Sequence, residues 1–183
     1  MMPKWLTRTN TSSWLAIISL SLLLPGIVFA LDSDKQEKTY LYADQAEINK
    51  QTGIGVYTGN VKVDRGTTHV TGDKIITHSS KDNKITRIII HAGKHQRAHF
   101  ESKTNLNKPP LIAEADLIKY FPQKHYALLI GNAKARQGND SIDGPYLKYD
   151  TEGEVLTAMN KPGKKGQAGR TTIIIEPDDI KSK

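Results

Sequence analysis

Short apolar stretches rich in Val, Ile, Thr and Tyr recur from Thr39 to Ile175, separated about every 8 to 12 residues by Gly, Asn, Asp or Pro. This spacing is typical of all-β sandwiches and barrels. No stretch keeps the 3.6-residue period of an amphipathic helix, so little helix is expected. The predicted strands are Thr39–Ala43, Ala46–Asn49, Ile54–Val63, Thr67–Thr77, Lys84–Ala92, Arg97–Ser102, Ile112–Tyr120, Tyr126–Ala135, Ser141–Tyr149, Glu154–Thr157 and Arg170–Ile175.

A segment of 35 residues, Ala43–Thr77, recurs without a gap 72 positions later as Ala115–Tyr149. Because glycine is the residue that bends and bulges tolerate best, the matches predict a shared backbone path rather than two catalytic sites. The eight identical pairs are Ala43/Ala115, Asp44/Asp116, Gln51/Gln123, Gly59/Gly131, Asn60/Asn132, Lys62/Lys134, Gly66/Gly138 and Gly72/Gly144.

The apolar positions of both copies change parity at a Gly-Asn pair. Val56 precedes Gly59-Asn60 on an even position and Val63 follows on an odd one; Leu128 and Ala135 flank Gly131-Asn132 in the same way. A parity change at glycine indicates a β-bulge in a long bent strand, and a second change crosses Gly72 and Gly144. The pattern predicts an antiparallel sheet folded into two facing halves, a twisted β-jelly roll built from an internal repeat. It places Val56, Leu128 and Ile130 on the interior face.

Residues 1–30 are typical of an export signal. Lys4 and Arg8 precede the apolar run Trp14–Leu24, and Val28-Phe29-Ala30 forms a small-residue cleavage site, so cleavage is predicted after Ala30. An uncleaved anchor is the alternative. The 17 residues from Trp14 to Ala30 contain Pro25 and Gly26 and fall short of the ~20 that span a bilayer.

Removal of this signal leaves 153 residues (183 − 30) and a net charge of +5 (+7 − 2), enough for one exported domain, predicted at 31–177 and followed by a tail at 178–183. Cysteine is absent, so disulfides, zinc–thiolate sites and cysteine nucleophiles are excluded. The basic balance does not predict nucleic-acid binding, because clustered cations interleaved with aromatics are missing.

Three histidines, His91, His95 and His99, are spaced by four residues. In a strand this spacing covers ~13 Å, too wide for one ion. A turn at 92–94 would bring His91 opposite His95, so a two-histidine site stays open, but no third ligand has suitable spacing and no metal site is predicted.

Asp44 and Asp116 occupy equivalent positions of the repeat and form a conceivable acid/base pair. Turn aspartates that accept nearby backbone amides explain them better, because no nucleophile accompanies them. An enzyme combining His125, Asp116 and a hydroxyl is a distant alternative. The basic loop Lys161–Gly169 lacks a strand-to-helix context and a Gly-Lys-Ser/Thr signature, so neither a nucleotide nor another cofactor is expected.

Four segments in this order resemble the LptA family of OstA-like periplasmic lipopolysaccharide transport proteins: Tyr42–Gln45 (YADQ), Tyr57–Val63 (YTGNVKV), Leu129–Ala133 (LIGNA) and Arg170–Pro177 (RTTIIIEP). The resemblance implies a jelly roll, open at both ends, whose apolar interior carries the acyl chains of lipid A. It also implies head-to-tail stacking into a bridge across the periplasm. The implied partners are lipopolysaccharide, LptC with the inner-membrane ABC transporter, and LptD with its lipoprotein.

The resemblance also assigns residues to this interior. Leu41, Phe100 and Tyr120 match or lie close to family positions that face it, and they join Val56, Leu128 and Ile130 as predicted lipid-binding residues. The two terminal edges are the predicted contacts for assembly: Leu41 and Tyr42 at one end and Ile173, Ile174 and Ile175 at the other. An anchored LptC-like component and a structural β-protein that binds no lipid are the alternatives. A chain without a nucleotide-binding motif is expected to form the path along which the lipid moves and not to provide the energy for transport.

Overall fold

The chain is described by a computed structural model over Asp34, residues 36–159 and residues 170–175. The predicted export signal, the loop 161–169 and the tail 178–183 lie outside these residues. Within them the fold is all β. The strands are β1 (Tyr40–Tyr42), β2 (Gln45–Asn49), β3 (Ile54–Arg65), β4 (Thr68–Ser79), β5 (Ile85–His91), β6 (Ala98–Ser102), β7 (Leu111–Ala115), β8 (Leu117–Phe121), β9 (Tyr126–Gln137), β10 (Asp140–Asp150), β11 (Val155–Ala158) and β12 (Thr172–Ile174).

The alternating apolar pattern located every strand to within a few residues but joined two of them. The predicted strand Ile112–Tyr120 is wrong as a single element, because Asp116 separates β7 from β8. A short 3-10 helix, Pro122–Lys124, connects β8 to β9. No helix in the described part of the chain is long and apolar enough to cross a membrane.

Four long strands, β3, β4, β9 and β10, each contribute to two half-sheets. The first half-sheet has the order β2-β3-β4-β5-β8-β9-β10-β11 and uses residues 54–58, 74–79, 126–130 and 146–150 of the long strands. The second has the order β1-β3-β4-β6-β7-β9-β10-β12 and uses 61–65, 68–72, 133–137 and 140–144. Every pairing is antiparallel. The ring β4-β5-β8-β9-β7-β6 returns to β4, so the sheet closes on itself.

A β-bulge in each long hairpin marks the passage from one half-sheet to the other. The β3–β4 register shifts between Thr58 and Val61, and Gly59 and Asn60 have positive φ angles of 76° and 46°. A Cβ at Gly59 would overlap the Asp44 carboxylate. That carboxylate accepts a hydrogen bond from Asn60 Nδ2 at 2.9 Å, while the Asp44 N–H donates to the Gly59 carbonyl at 3.0 Å. Asp44, between β1 and β2, therefore holds the bulge of β3 in place.

The bulge between β9 and β10 has the same local geometry. Gly131 and Asn132 have φ angles of 76° and 43°, Asn132 Nδ2 donates to Asp116 Oδ2 at 2.9 Å, and the Asp116 N–H donates to the Gly131 carbonyl at 2.9 Å. Asp44 lies where the chain passes from β1 to β2, and Asp116 where it passes from β7 to β8. Each aspartate thus also marks a change of half-sheet.

The interior faces of both half-sheets share one hydrophobic core. Ile75 and Leu129 of the first half-sheet are 2 % exposed, and Leu147 is completely buried. Val61, 1 % exposed, and Phe100, 7 % exposed, belong to the second. At about 25 cal/mol per Å² of apolar surface removed from water, these side chains dominate the stability of a chain without disulfides.

Candidate functional site

An apolar cavity of about 750 Å³ lies between the half-sheets. Its wall includes Ile75, Ile90 and Leu129 from the first half-sheet and Val63 and Phe100 from the second. Lining residues extend from Lys50 in the β2–β3 turn to Arg65 at the far end of β3, so the cavity follows the whole length of that strand. Its volume falls in the upper part of the ~300–1,000 Å³ typical of pockets that hold drug-sized ligands.

The polar groups at the Arg65 end of the cavity are already bonded within the protein. Arg65 is 6 % exposed, and its Nε donates to the Asp34 carbonyl at 2.9 Å. The Asp34 carboxylate accepts from the N–H and the hydroxyl of Thr67, at 3.0 and 2.7 Å. Thr68 Oγ1 and Ser102 Oγ lie 2.9 Å apart. These bonds support the wall and leave the interior suited to an apolar ligand.

Three of the six predicted lipid-binding residues line the cavity. Leu41, Phe100 and Tyr120 belong to its wall; Tyr120 is 4 % exposed and Leu41, on the edge strand β1, is 36 % exposed. Whether they contact lipid stays a prediction.

The prediction that Val56, Leu128 and Ile130 face the interior is wrong. None of the three lines the cavity, whereas Ala127 and Leu129, which flank Leu128, are buried in its wall at 3 % and 2 % exposure. Because successive side chains of a strand point to opposite faces, Val56, Leu128 and Ile130 lie on the outer face of the first half-sheet.

β3 and β9 differ from this prediction because they keep odd positions inward on both sides of their bulges. The partner strands change parity instead: Tyr57 pairs with Ile75 and Val61 with Gly72, so four residues of β3 match three of β4. The unbroken odd series Ala127, Leu129, Ala133, Ala135 was available in the sequence. It was hidden because the even positions before the bulge, Tyr126, Leu128 and Ile130, are apolar too.

The second parity change was placed correctly. β4 buries Val70 and Ile75 on either side of Gly72, and Ile142 and Leu147 flank Gly144 in the same way within the core cluster. Both changes lie opposite a Gly-Asn bulge.

The candidate acid/base residues do not converge. Asp44 and Asp116 each bond an asparagine side chain at a bulge, instead of the backbone amides predicted for turn aspartates. His125 precedes β9 and lies six residues, or roughly 20 Å of strand, from the bulge that Asp116 clamps. His125 Nδ1 and Thr151 Oγ1 are both buried without a hydrogen bond to any described residue, and the Thr151 N–H donates to the His125 carbonyl at 2.8 Å, but Asp116 bonds Asn132 and does not join them.

The three histidines are also kept apart. His91 lies opposite Lys74 on the first half-sheet, His99 lies between Glu101 and Glu114 on the second, and His95 lies between β5 and β6. Burial, assisted by Lys74 and Lys119, lowers the pKa of His91, so its neighbourhood is cationic. The described residues contain no group of three or more His, Asp or Glu side chains placed to hold a metal ion.

Residues 40–155 match the family model described as LptA/(LptD N-terminal domain) LPS transport protein. The lipopolysaccharide export system protein LptH of Pseudomonas aeruginosa is 29 % identical over 154 residues, which are 83 % of this chain and 86 % of LptH. LptA of Escherichia coli K12, also named a lipopolysaccharide export system protein, is 27 % identical over 177 residues, 96 % of this chain and 91 % of LptA.

The fold is similar to a crystal structure described as LptH, the LptA homologous periplasmic component of the conserved lipopolysaccharide transport device from Pseudomonas aeruginosa. The TM-score is 0.70 at 26 % identity, over 79 % of this chain and 99 % of that one. The family model covers more than half of the chain and includes β1 to β10, the strands that build the closed ring and both bulges. The chain therefore belongs to the LptA/(LptD N-terminal domain) LPS transport protein family.

Proposed function

We propose that this chain is a periplasmic lipopolysaccharide transport protein, a twisted β-jelly roll that shields lipid A acyl chains in the cavity between its half-sheets. The observation that carries the proposal is the continuous apolar wall along the length of β3. Each CH₂ group transferred out of water contributes ~0.8 kcal/mol, so an apolar track lowers the cost of moving a multi-chain lipid between membranes. No chemical step is required, and the proposed role is not enzymatic.

Export by the predicted signal, with cleavage after Ala30, belongs to the same proposal. So does the domain organisation with one β domain at 31–177. N-terminal sequencing of protein recovered from the periplasm tests the cleavage site. A first residue of Leu31 is expected, and retention of residues 1–30 would favour the anchored alternative.

Photocrosslinking tests the lipid site with neighbouring residues as a matched pair. Val63 lines the cavity, and Lys62, the preceding residue, is exposed on the outside of the same strand. A photoreactive residue at Val63 or Tyr120 is expected to form lipopolysaccharide adducts, and one at Lys62 is not. Equal adducts at Val63 and Lys62, or none at Val63 and Tyr120, would contradict the proposal and favour a structural β-protein.

We further propose head-to-tail assembly, in which the strand pairing between two molecules repeats a strand pairing found inside one chain. Inside the chain, β5 pairs with β8 and β6 pairs with β7. β5 and β6 are equivalent to β11 and β12, because each pair follows the second strand of a long hairpin, β4 or β10. β7 and β8 are equivalent to β1 and β2, because each pair precedes the first strand of a long hairpin, β9 or β3. If this pairing extends to the next molecule, β12 pairs with β1 of that molecule and β11 pairs with its β2.

The exposure of these four strands supports this joint. Leu41 and Tyr42 are 36 % and 55 % exposed at one end, and Ile173, Ile174 and Ile175 are 61 %, 51 % and 74 % exposed at the other. Among the described residues, β1 and β2 each pair only with β3, and β11 and β12 each pair only with β10. Apolar edge strands invite pairing with another strand.

The template also gives a register. Phe100 pairs with Val70, and Ile173 pairs with Ile142. Since Ile142 lies 72 residues after Val70 and occupies the same position of the repeat, Phe100 and Ile173 are equivalent. Phe100 faces Ala113, and Leu41 precedes Ala113 by 72 residues. Ile173 is therefore expected to face Leu41 of the next copy. Since Leu41 lines the cavity, this joint would continue the apolar wall from one molecule to the next.

Disulfide trapping tests this register, because the chain has no cysteine of its own. Cysteines at Leu41 and Ile173 are expected to crosslink separate molecules on mild oxidation, since paired strands bring Cα atoms within disulfide range. Cysteines at Leu41 and Ile174, which would point to opposite faces, are the matched control. Equal crosslinking of both pairs would contradict the register.

Ile174→Pro tests the assembly itself. Proline on an edge strand removes a backbone donor, so light scattering is expected to show monomers whose thermal unfolding is nearly unchanged. Oligomers of unchanged size would contradict the proposed joint. The same free edges are the expected contacts with LptC, which belongs with the inner-membrane ABC transporter, and with LptD and its lipoprotein.

A further inference from the structure

The outer face of the first half-sheet carries apolar and cationic side chains in cross-strand rows. One row runs Ile76, Ile89, Lys119, Leu128, Lys148 across β4, β5, β8, β9 and β10. The next row runs Lys74, His91, Leu117, Ile130, Tyr146 across the same strands. At ~4.8 Å between strands and ~6.8 Å between alternate residues, the two rows with a third from His78 to Asp150 cover roughly 20 Å by 13 Å.

The charge of this face is one-sided. Lys74, Arg87, Lys119 and Lys148 form no salt bridge with any described carboxylate, although Arg87 Nη2 lies 3.0 Å from His78 Nε2. Asp150 ends the third row, and its Oδ1 accepts the N–H groups of Glu152 and Gly153 at 3.0 and 2.9 Å.

Carboxylates lie mainly at the margins of the face. Glu47 lies opposite Val56 on the edge strand β2, and Asp73 lies beside the β3–β4 bulge. Desolvation and the positive charges of Lys74 and Lys119 lower the pKa of His91, which agrees with cations gathered on one side of the sheet.

Aromatic residues occupy one end of the same face. The rings of Phe121 and Tyr126 lie with their centroids 4.8 Å apart, and Lys148 Nζ lies 5.1 Å from the centre of the Tyr126 ring. Tyr146 lies in the neighbouring row, opposite Ile130. Tyrosine, lysine and partly exposed aliphatic side chains together are typical of surfaces that lie at the headgroup level of a bilayer.

We infer that the outer face of the first half-sheet, which carries Lys74, Lys119, Leu128, Ile130 and Lys148, is a docking surface for an anionic phospholipid bilayer. Charge complementarity selects an anionic occupant, because Lys74 and Lys119, at the centre of the face, form no salt bridge with any described carboxylate. The strand pairing of the face favours a bilayer over an acidic peptide. Every strand in the middle of this face is hydrogen-bonded on both sides, so no free edge or groove is present there for a peptide to enter.

Vesicle flotation of protein purified from the periplasm tests the surface. The protein is expected to float with vesicles of phosphatidylcholine that contain phosphatidylglycerol and to stay behind with phosphatidylcholine alone. The variant K74Q/K119Q/K148Q is expected to bind about 100-fold more weakly, since each cation contributes about fivefold near an anionic surface.

The matched control is K62Q/K134Q/R136Q, which removes the same charge from the outer face of the second half-sheet and should change binding only a few-fold. Equal losses in the two variants would overturn the inference, because binding would then follow net charge rather than this face. Flotation with neither vesicle would overturn it as well. Thermal unfolding of both variants ensures that the folded proteins are compared.

Tryptophan fluorescence locates the contact independently of charge. Both tryptophans, Trp5 and Trp14, lie in the predicted export signal, so Leu128→Trp creates a single reporter in the processed chain. Phosphatidylglycerol vesicles are expected to shift its emission to the blue, and Lys62→Trp should not respond. No shift at Leu128→Trp in floating protein would overturn the inference, as would a shift produced by polyglutamate and not by vesicles. Tyr120→Trp reports lipid entering the cavity, so extraction of lipid is told apart from docking.

Discussion

The outer faces of the two half-sheets differ although the same four long strands build both. On the second half-sheet, cations alternate with carboxylates: Lys62 and His69 bond Asp64 at 3.0 and 2.7 Å, and His99 lies 3.4 Å from Glu114. On the first, lysines alternate with aliphatic and aromatic residues. A face that points outward is therefore not always a neutral solvent-exposed surface. One face satisfies its own charges, and the other leaves them available to a partner.

Both half-sheets contribute side chains to one buried core. Truncation of these side chains is expected to lower the free energy of unfolding more than any other change considered below. Leu147→Ala in the first half-sheet and Phe100→Ala in the second are each expected to cost ~2–5 kcal/mol of unfolding free energy. Leu128→Ala and Ile112→Ala on the outer faces should cost about 1 kcal/mol or less. Urea unfolding measures all four. A cost at Leu128 equal to that at Leu147 would contradict the assignment of its face.

The bulges separate the two half-sheets, and their glycines carry the next largest effect. Gly131→Ala and Gly59→Ala place a Cβ at positive φ and against an aspartate carboxylate, so each should cost ~1–2 kcal/mol or more. Gly153→Ala, at a turn where a Cβ would meet no atom closer than 3.6 Å, is the control. Thermal unfolding compares them, and losses no larger than that of the control would show that the bulges are not tightly clamped.

Histidines of the first half-sheet should make stability fall as the solution is acidified. Desolvation and neighbouring cations, Arg87 for His78 and Lys74 and Lys119 for His91, lower both pKa values below 6.5. As the pH falls, the two histidines are therefore protonated in the unfolded chain before they are protonated in the folded one. The free energy of unfolding decreases as the pH falls from about 6.5 through the folded pKa values. H78N/H91N should flatten this slope in urea unfolding at several pH values. An unchanged slope would contradict the lowered pKa values of His78 and His91.

The second half-sheet should show the opposite origin of acid sensitivity and the smallest effect. The hydrogen bond from His69, with help from Lys62, lowers the pKa of Asp64 below 3.8. Its contribution is present above that pH and is lost as pH falls through the folded pKa. Because the pair is partly exposed, Asp64→Asn should cost at most about 1 kcal/mol at neutral pH and nothing in strong acid. Chemical unfolding at both pH values checks this, and a loss that persists in acid would point to packing instead.

Much of the fold was readable from local sequence, because turn formers and β-branched runs act over a few residues. The two Gly-Asn pairs located both bulges. The division of Ile112–Tyr120 into β7 and β8 was not readable, because Asp116 acts through a carbonyl 15 residues later, that of Gly131. Sequence gives no direct signal for such a distant bond.

The wall of the candidate site was only half readable, for a different physical reason. Leu41, Phe100 and Tyr120 were placed correctly, and Val56, Leu128 and Ile130 were not. Hydrophobicity marks a face as interior only when the other face is polar, and the outer face of the first half-sheet also carries apolar residues among its lysines. The feature that caused the error is the one that now distinguishes its outer face.

Long alternating strands can slip by two residues against each other and still point the same face inward, which is a common source of misfolding in β proteins. β3 and β9 cannot slip in this way without penalty. A shifted strand would carry its left-handed Gly-Asn pair away from the aspartate that bonds it and would press a residue with a Cβ against that carboxylate. The contacts of Asp44 and Asp116 with the bulges therefore favour the observed register of β3 and β9 over one shifted by two residues.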